Sequence, residues 1–192
     1  MSELRRTMEA DFYRGRRVAL FGPRLIWLLL VARGGRGCIA WRRLCEFFTR
    51  RRLHSFADFC CAVIERRYAC YISPRAQIGP RLRLPHPVGI VIGEGVVIGA
   101  GCTIYQHVTL GGRRIGDWRR GAYPVVGDDV VLFAGAVLAG SLSIGDRATV
   151  GANAVVLVDV PADNTAVGNP ARAIPKPQPA VVRAEQAWVG RT

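Results

Sequence analysis

Residues 126–156 read VGDDVVLFAGAVLAGSLSIGDRATVGANAVV, and an aliphatic side chain returns at every sixth place: Val126, Leu132, Leu138, Ile144, Val150 and Val156. A small or aliphatic residue stands four places after each of the first five, at Val130, Ala136, Leu142, Ala148 and Ala154. Gly follows the aliphatic residue directly at Gly127, Gly145 and Gly151. A repeat of six is neither the 3.6 of an amphipathic helix nor the 2 of a half-buried strand. It fits a short strand and a tight turn, repeated so that every sixth side chain points inward. That is a parallel β-helix of hexapeptide repeats, in which three hexads close one triangular coil and side chains 18 apart stack. The aliphatic residue fills the interior, the small one fits the tapering corner, and the Gly accepts a close backbone or a positive φ.

The same period extends upstream through Ile72, Ile78 and Leu84, then, after two extra residues, through Ile92, Ile98, Ile104 and Leu110. Thirteen such positions predict four coils and a cap. The first interruption bulges one corner at Pro85-His86-Pro87; the second, residues 112–124 (GRRIGDWRRGAYP), leaves the coil as a protruding loop. Breaks in a solenoid are where ligands are commonly received. A turn-rich closing segment follows Val156. The chain thus divides into an α-helical N-terminal segment (1–70), the β-helix (71–176) and a C-terminal tail (177–192).

In the first segment, Leu20, Leu25, Trp27, Leu28, Leu29 and Val31 form the apolar face of a short helix. Pro23 suits its first turn and Gly34-Gly35 suit its end. Residues 38–68 read as an amphipathic helix or helix pair, and 1–18 as a further short helix. Lys plus Arg number 27 against 14 acids, a net charge of +13, and every base but Lys176 is Arg. Fifteen Arg and six acids fall in residues 1–70. The plain reading is a solvated basic helical surface; an anionic membrane face or acidic ligand is the sharper one. No nucleic-acid partner is expected, because charge is unaccompanied by any reading motif. The run Leu25–Ala32 is far below the ~18–20 apolar residues that span a bilayer, so no transmembrane segment is expected. Six Cys without a CxxC pair, and no signal peptide, point to reduced, mostly buried thiols in a cytoplasmic protein.

Three His are present. His54, among arginines, reads as a surface residue. His86 lies in the bulged corner, and Gln106 holds the equivalent place one coil later, beside His107. A neutral His at an edge near a protruding loop has what a general base needs, a pKa near working pH and access to a hydroxyl. The plain alternative is a corner His that only hydrogen-bonds a carbonyl. His107 is a second candidate base.

The stretch LPHPVGIVIGEGVVIGAGCTIYQHVTLGG (84–112), with VGNPARAIPK (167–176) downstream, resembles the serine O-acetyltransferase branch of the hexapeptide-repeat acyltransferases. The resemblance covers about residues 71–176. It implies a left-handed parallel β-helix, a homotrimer with active sites between subunits, and acetyl transfer from acetyl-CoA to a hydroxyl without a metal. By the same resemblance His86 is the catalytic base, and Thr109, Gly111, Gly112 and Arg113 contact CoA. Ala134 and Ala152 stand where backbone meets the pantetheine arm, and Gly168 to Arg172 lie near the CoA phosphates. Arg172 and Lys176, with Arg113 and Arg114, suit those phosphates chemically.

Three departures bear on the acceptor. Serine-specific members have Asp where this chain has Pro85, an Arg-His pair where it has Ala122-Tyr123, and a His-orienting acid where it has Tyr71. Glu94, the Tyr71 hydroxyl or a backbone carbonyl would then orient His86, and Gln106, His107 and Tyr123 would line the acceptor pocket. Free serine carries an ammonium and a carboxylate, and leaving either unpaired in a closed site is costly. The expectation is therefore an O-acetyltransferase acting on a small molecule or saccharide other than serine. The alternatives are a true serine O-acetyltransferase of cysteine biosynthesis and a non-catalytic trimeric scaffold. The Arg-rich helices are left open as contacts to a membrane, another enzyme or a second trimer.

Overall fold

The computed structural model describes residues 2–13 and 23–176. The tail at 177–192, Leu20 and the end of the helix expected over 1–18 lie outside the described residues. Four helices come first: α1 (Ser2–Tyr13), α2 (Pro23–Leu30), α3 (Gly34–Arg50) and α4 (His54–Tyr68). Short strands follow: β1 (Tyr71–Ile72), β2 (Gln77–Ile78), β3 (Val91–Ile92), β4 (Val97–Ile98), β5 (Thr103–Ile104) and β6 (Thr109–Gly111). One helical turn, α5 (Asp117–Arg120), lies inside the predicted loop. Beyond it come β7 (Val125–Val126), β8 (Val131–Leu132), β9 (Val137–Ala139), β10 (Ser143–Ile144), β11 (Thr149–Val150), β12 (Val155–Val156), β13 (Asn164–Gly168) and β14 (Ala171–Pro175).

The strands stack into three sheets, the faces of a left-handed parallel β-helix. The first face carries β1-β3-β6-β9-β12, the second β2-β4-β7-β10 and the third β5-β8-β11-β13-β14. Register follows the six-residue period. Val91 pairs with Thr109 and Val131 with Thr149, 18 residues apart, whereas Tyr71 pairs with Val91 across the corner bulge and Thr109 with Val137 across the loop. The turn-rich closing segment is more regular than its composition implies, because β13 and β14 form an antiparallel hairpin over the last coil.

Ile92, Ile104, Leu110, Leu132, Leu138, Val150 and Val156 are fully buried, and each stabilises the fold by about 1.5–3 kcal/mol. Val96, Val108, Val130, Ala136, Ala148 and Ala154 are buried with them, so each hexad contributes two inward side chains. The structure also decides why Gly follows the aliphatic residue. Positive φ falls two places later, at Arg81, His107, Asp129, Arg147 and Asn153. Gly79 and Gly99 are needed for close approach instead, since a Cβ on either would come within 2.6 Å of the next coil's backbone.

Two sequence expectations fail in the helical cap, each for a packing reason. Gly34-Gly35 do not end α2, which stops at Leu30; Gly34 opens α3. A side chain at Gly35 would overlap the Leu84 carbonyl oxygen, so the glycine lets α3 seat on the first coil. Arg42 and Arg43 are not solvated but almost completely buried. Arg42 Nη2 donates to Ala76 O at 2.6 Å, and Arg43 donates to Ile78 O at 2.7 Å and Gly79 O at 2.6 Å. The two guanidinium groups thus satisfy carbonyls on the outermost coil. Asp11 balances Arg43 at 2.8 Å.

Candidate functional site

The register distributes the candidate residues over two edges of the β-helix. His86, Gln106, Ala134 and Ala152 each stand two places after an interior residue of the third face (Leu84, Ile104, Leu132, Val150). They line the corner where the third face turns into the first. The rungs are tied together: Gly135 N donates to Gln106 O at 3.0 Å and Asn153 N to Ala134 O at 2.9 Å. Successive coils are ~4.8 Å apart, so this edge is a straight track over three coil steps. The β13–β14 turn ends at the same corner and carries Arg172 there. Lys176 lies at the far end of β14, donating to the Arg147 carbonyl near another corner, so the structure separates it from Arg172.

His86 is solvent-exposed at the head of this track. Its imidazole faces Tyr105 at 6.4 Å, and Tyr105 stacks on Phe133 at 5.2 Å with planes 13° apart. No side-chain hydrogen bond fixes the His86 ring among the described residues. His107 lies under Gly89, where a Cβ would overlap its Nδ1, and the His107 backbone N–H donates to Val88 O at 2.8 Å. The Gln106 side-chain carbonyl oxygen is buried with no hydrogen-bond partner among the described residues. A buried acceptor without a donor carries a desolvation cost that a donor from outside the described residues would relieve. The Tyr105–Phe133 stack was not singled out from sequence; its only signal is two aromatics 28 apart, the spacing that the inserted loop imposes.

The other half of the candidate set lies on the edge between the first and second faces. Glu94 pairs with Arg75 at 3.6 Å on this edge. Within one chain it is therefore not brought to His86, because it sits two places after Ile92 on the first face rather than after a third-face residue. Tyr123 closes the loop by packing its ring over Gly93 and Gly95. Burial of the Tyr123 phenol, with Glu94 and Tyr71 nearby, pushes its pKa up. Tyr71 is half exposed on the first face, close enough to act on Tyr123.

Thr109, Gly111, Gly112 and Arg113 lead into the loop at this second edge. Gly140 N donates to Gly111 O at 2.9 Å. Asp117, which sequence reading passed over, accepts from the Arg113 and Arg114 amides, each at 2.7 Å. Those amides hold its carboxyl below the usual carboxylate range. They fix the backbone from which both arginine side chains project. Its signal was an Asp three and four places after a pair of Arg, opening α5. Among the described residues no cluster of His, Cys, Asp or Glu could hold a metal ion.

Comparisons with known proteins identify the family. Residues 123–157 match the family described as bacterial transferase hexapeptide (six repeats), and 87–106 match the hexapeptide repeat of succinyl-transferase. A serine acetyltransferase from Helicobacter pylori is 38% identical over 150 residues, 78% of this chain and 86% of the relative. One from Staphylococcus aureus is 42% identical over 121 residues, 63% of this chain, which spans about half (52%) of that longer relative. Soybean serine acetyltransferase complexed with serine is 36% identical at a TM-score of 0.76, covering 91% of this chain and 70% of that one. A serine acetyltransferase in complex with CoA is 32% identical at a TM-score of 0.70, covering 89% and 68%. With 38% identity over most of the Helicobacter pylori relative, the chain belongs to the serine acetyltransferase family of hexapeptide-repeat acyltransferases.

Proposed function

We propose that this protein transfers the acetyl group of acetyl-CoA to an acceptor hydroxyl, with His86 as general base. The observation that carries the reading is the corner track: an exposed imidazole at its head, then Gln106, Ala134 and Ala152 in line, then Arg172 at its end. The small side chains leave room for a pantetheine arm, and Arg172, with Arg113 and Arg114 from the loop edge, suits the phosphates. His86 removes the hydroxyl proton as the oxygen attacks the thioester carbon. The carbon–sulfur bond then breaks, the acetyl ester forms, and the proton ends on the CoA thiol.

The two edges lie on opposite sides of the first face, so one chain alone holds two half-sites. A homotrimer that sets the His86 edge of one copy against the loop edge of the next would complete them, and it would cover the exposed Tyr71 and Val91 of that face. We place the reaction in the cytoplasm, where acetyl-CoA is available.

Kinship favours L-serine as the acceptor, since the relatives are serine acetyltransferases and one neighbour is complexed with serine. A second reading, a hydroxyl on a saccharide or other small molecule, is favoured by Tyr71, Pro85 and Tyr123. None of these can pair with an ammonium or a carboxylate as an acid or base would. CoA release measured with L-serine beside neutral sugars decides between them. Turnover confined to L-serine removes the second reading, and turnover with sugars alone removes the first. No CoA release with any hydroxyl would leave the scaffold alternative.

A further inference from the structure

The helical cap carries a surface that the transferase reading does not use. Ile26, Trp27 and Leu30 of α2, with Val31 directly after it, are 48–64% exposed. At i, i+1, i+4 and i+5 they form one apolar strip turned to solvent. The strip continues onto α4. Trp41 Nε1 donates to Leu29 O at 3.0 Å, and the Trp41 ring stands edge-on to Phe59 at 5.9 Å. Phe59 and Phe56 are both more than half exposed. Arg67 locks the arrangement by donating to Leu29 O at 2.8 Å and Leu30 O at 2.9 Å.

Arginines border this patch. Arg24 and Arg33 flank α2, Arg66 neighbours the Arg67 clamp, and Arg52 precedes the exposed Leu53 and Phe56. All four are exposed, and none has an acidic partner within ion-pair distance among the described residues. Asp58 and Glu65 on α4 only partly offset them.

We propose that this face docks the protein on a bilayer containing anionic lipids. α2, eight residues long, is far too short to span; it lies in the interface with Ile26, Trp27, Leu30 and Val31 at the acyl boundary. The bordering guanidinium groups meet lipid phosphates. Charge decides against a second copy as the occupant. A second copy would bring the same surplus of fifteen Arg over six acids to the contact, whereas anionic lipid brings the opposite charge. An acyltransferase held there would meet acceptors carried at the membrane surface.

The test is co-sedimentation of the full chain with vesicles of phosphatidylcholine alone and of equal parts phosphatidylcholine and phosphatidylglycerol, at low and high salt. Binding is expected only to the anionic vesicles and should weaken as salt rises. Trp27→Glu with Leu30→Glu should abolish it, and Arg24→Glu or Arg66→Glu should each weaken it at least about fivefold. These side chains are exposed, so circular dichroism and the thermal midpoint should be unchanged. The proposal is overturned by no binding to anionic vesicles at low salt, by equal binding to neutral ones, or by variants that bind like the parent. It is also overturned if sedimentation equilibrium shows Trp27→Glu with Leu30→Glu lowering the oligomer mass, because the face would then be covered by another copy. None of these readouts depends on turnover, so they stand apart from the acetyl-transfer assay.

Discussion

The imidazole of His86 faces the phenol ring of Tyr105 one coil along, with ring centroids 6.4 Å apart and planes inclined at 47°. Neither ring nitrogen has a hydrogen-bond partner among the described residues. His86→Ala should therefore lower kcat by ~10²–10⁴ while leaving the KM for acetyl-CoA and the melting midpoint unchanged. His107→Ala should leave kcat within a few-fold. Thiol release under saturating acetyl-CoA measures both, and parental turnover in His86→Ala would transfer the base role elsewhere.

Ala134 and Ala136 are two places apart and face opposite ways. Ala134 is half-buried on the corner track, whereas Ala136 is wholly enclosed. Ala134→Phe should raise the KM for acetyl-CoA with little change in thermal stability. Ala136→Phe should overpack the coil and cost about 1–3 kcal/mol or more. Paired melting curves and CoA titrations read the contrast; equal effects on affinity would count against the track.

Asp11 is the counter-ion of a guanidinium almost fully withdrawn from water, and it also accepts from Arg81 N at 2.6 Å. Asp11→Ala leaves Arg43 buried with less than its full complement and should destabilise the cap by about 3–5 kcal/mol. Urea unfolding followed by far-ultraviolet dichroism measures the loss.

Gly35→Ala inserts a methyl where the Leu84 carbonyl sits. A rigid backbone cannot yield as a side chain does, so α3 must lift from the first coil, at a cost of about 1–3 kcal/mol. Gly111→Ala, where the added Cβ meets open space, is the matched control and should be near neutral.

Burial pushes the Cys102 thiol up to about 11 and Cys60 up to about 12, from an ordinary 9.0. Above pH 9 an unfolded chain loses these protons while the folded chain keeps them. The folded state then binds more protons, and these two groups make stability fall as pH rises from about 9 toward 11. Alkylation by iodoacetamide at pH 8 should be slow at both residues until the chain unfolds. Rapid labelling of Cys102 in the folded protein would contradict its place in the core.

Much of the fold was legible without coordinates. A six-residue period leaves a β-helix few alternatives, because each interior side chain must return to the same axis, and Ile72 through Val156 do so. His86 and Gln106 could be stacked by counting alone, since the coil converts sequence offset into position. The same counting, carried round the triangle, puts Glu94 and Tyr123 on a different edge from His86, a consequence evident only once the three faces are drawn.

What the sequence determined by itself is therefore what repetition determines: the coil, its inward residues, its two interruptions and the corner that bears the imidazole. Tertiary structure decided what periodicity does not encode. Arg42 and Arg43 look like any other arginines of a basic helix until the end of the β-helix presents carbonyls for them to satisfy. Gly34-Gly35 look like a helix stop until the first coil demands their lack of a side chain. Local patterns report a residue's own element, whereas burial and pairing depend on which foreign surface that element meets.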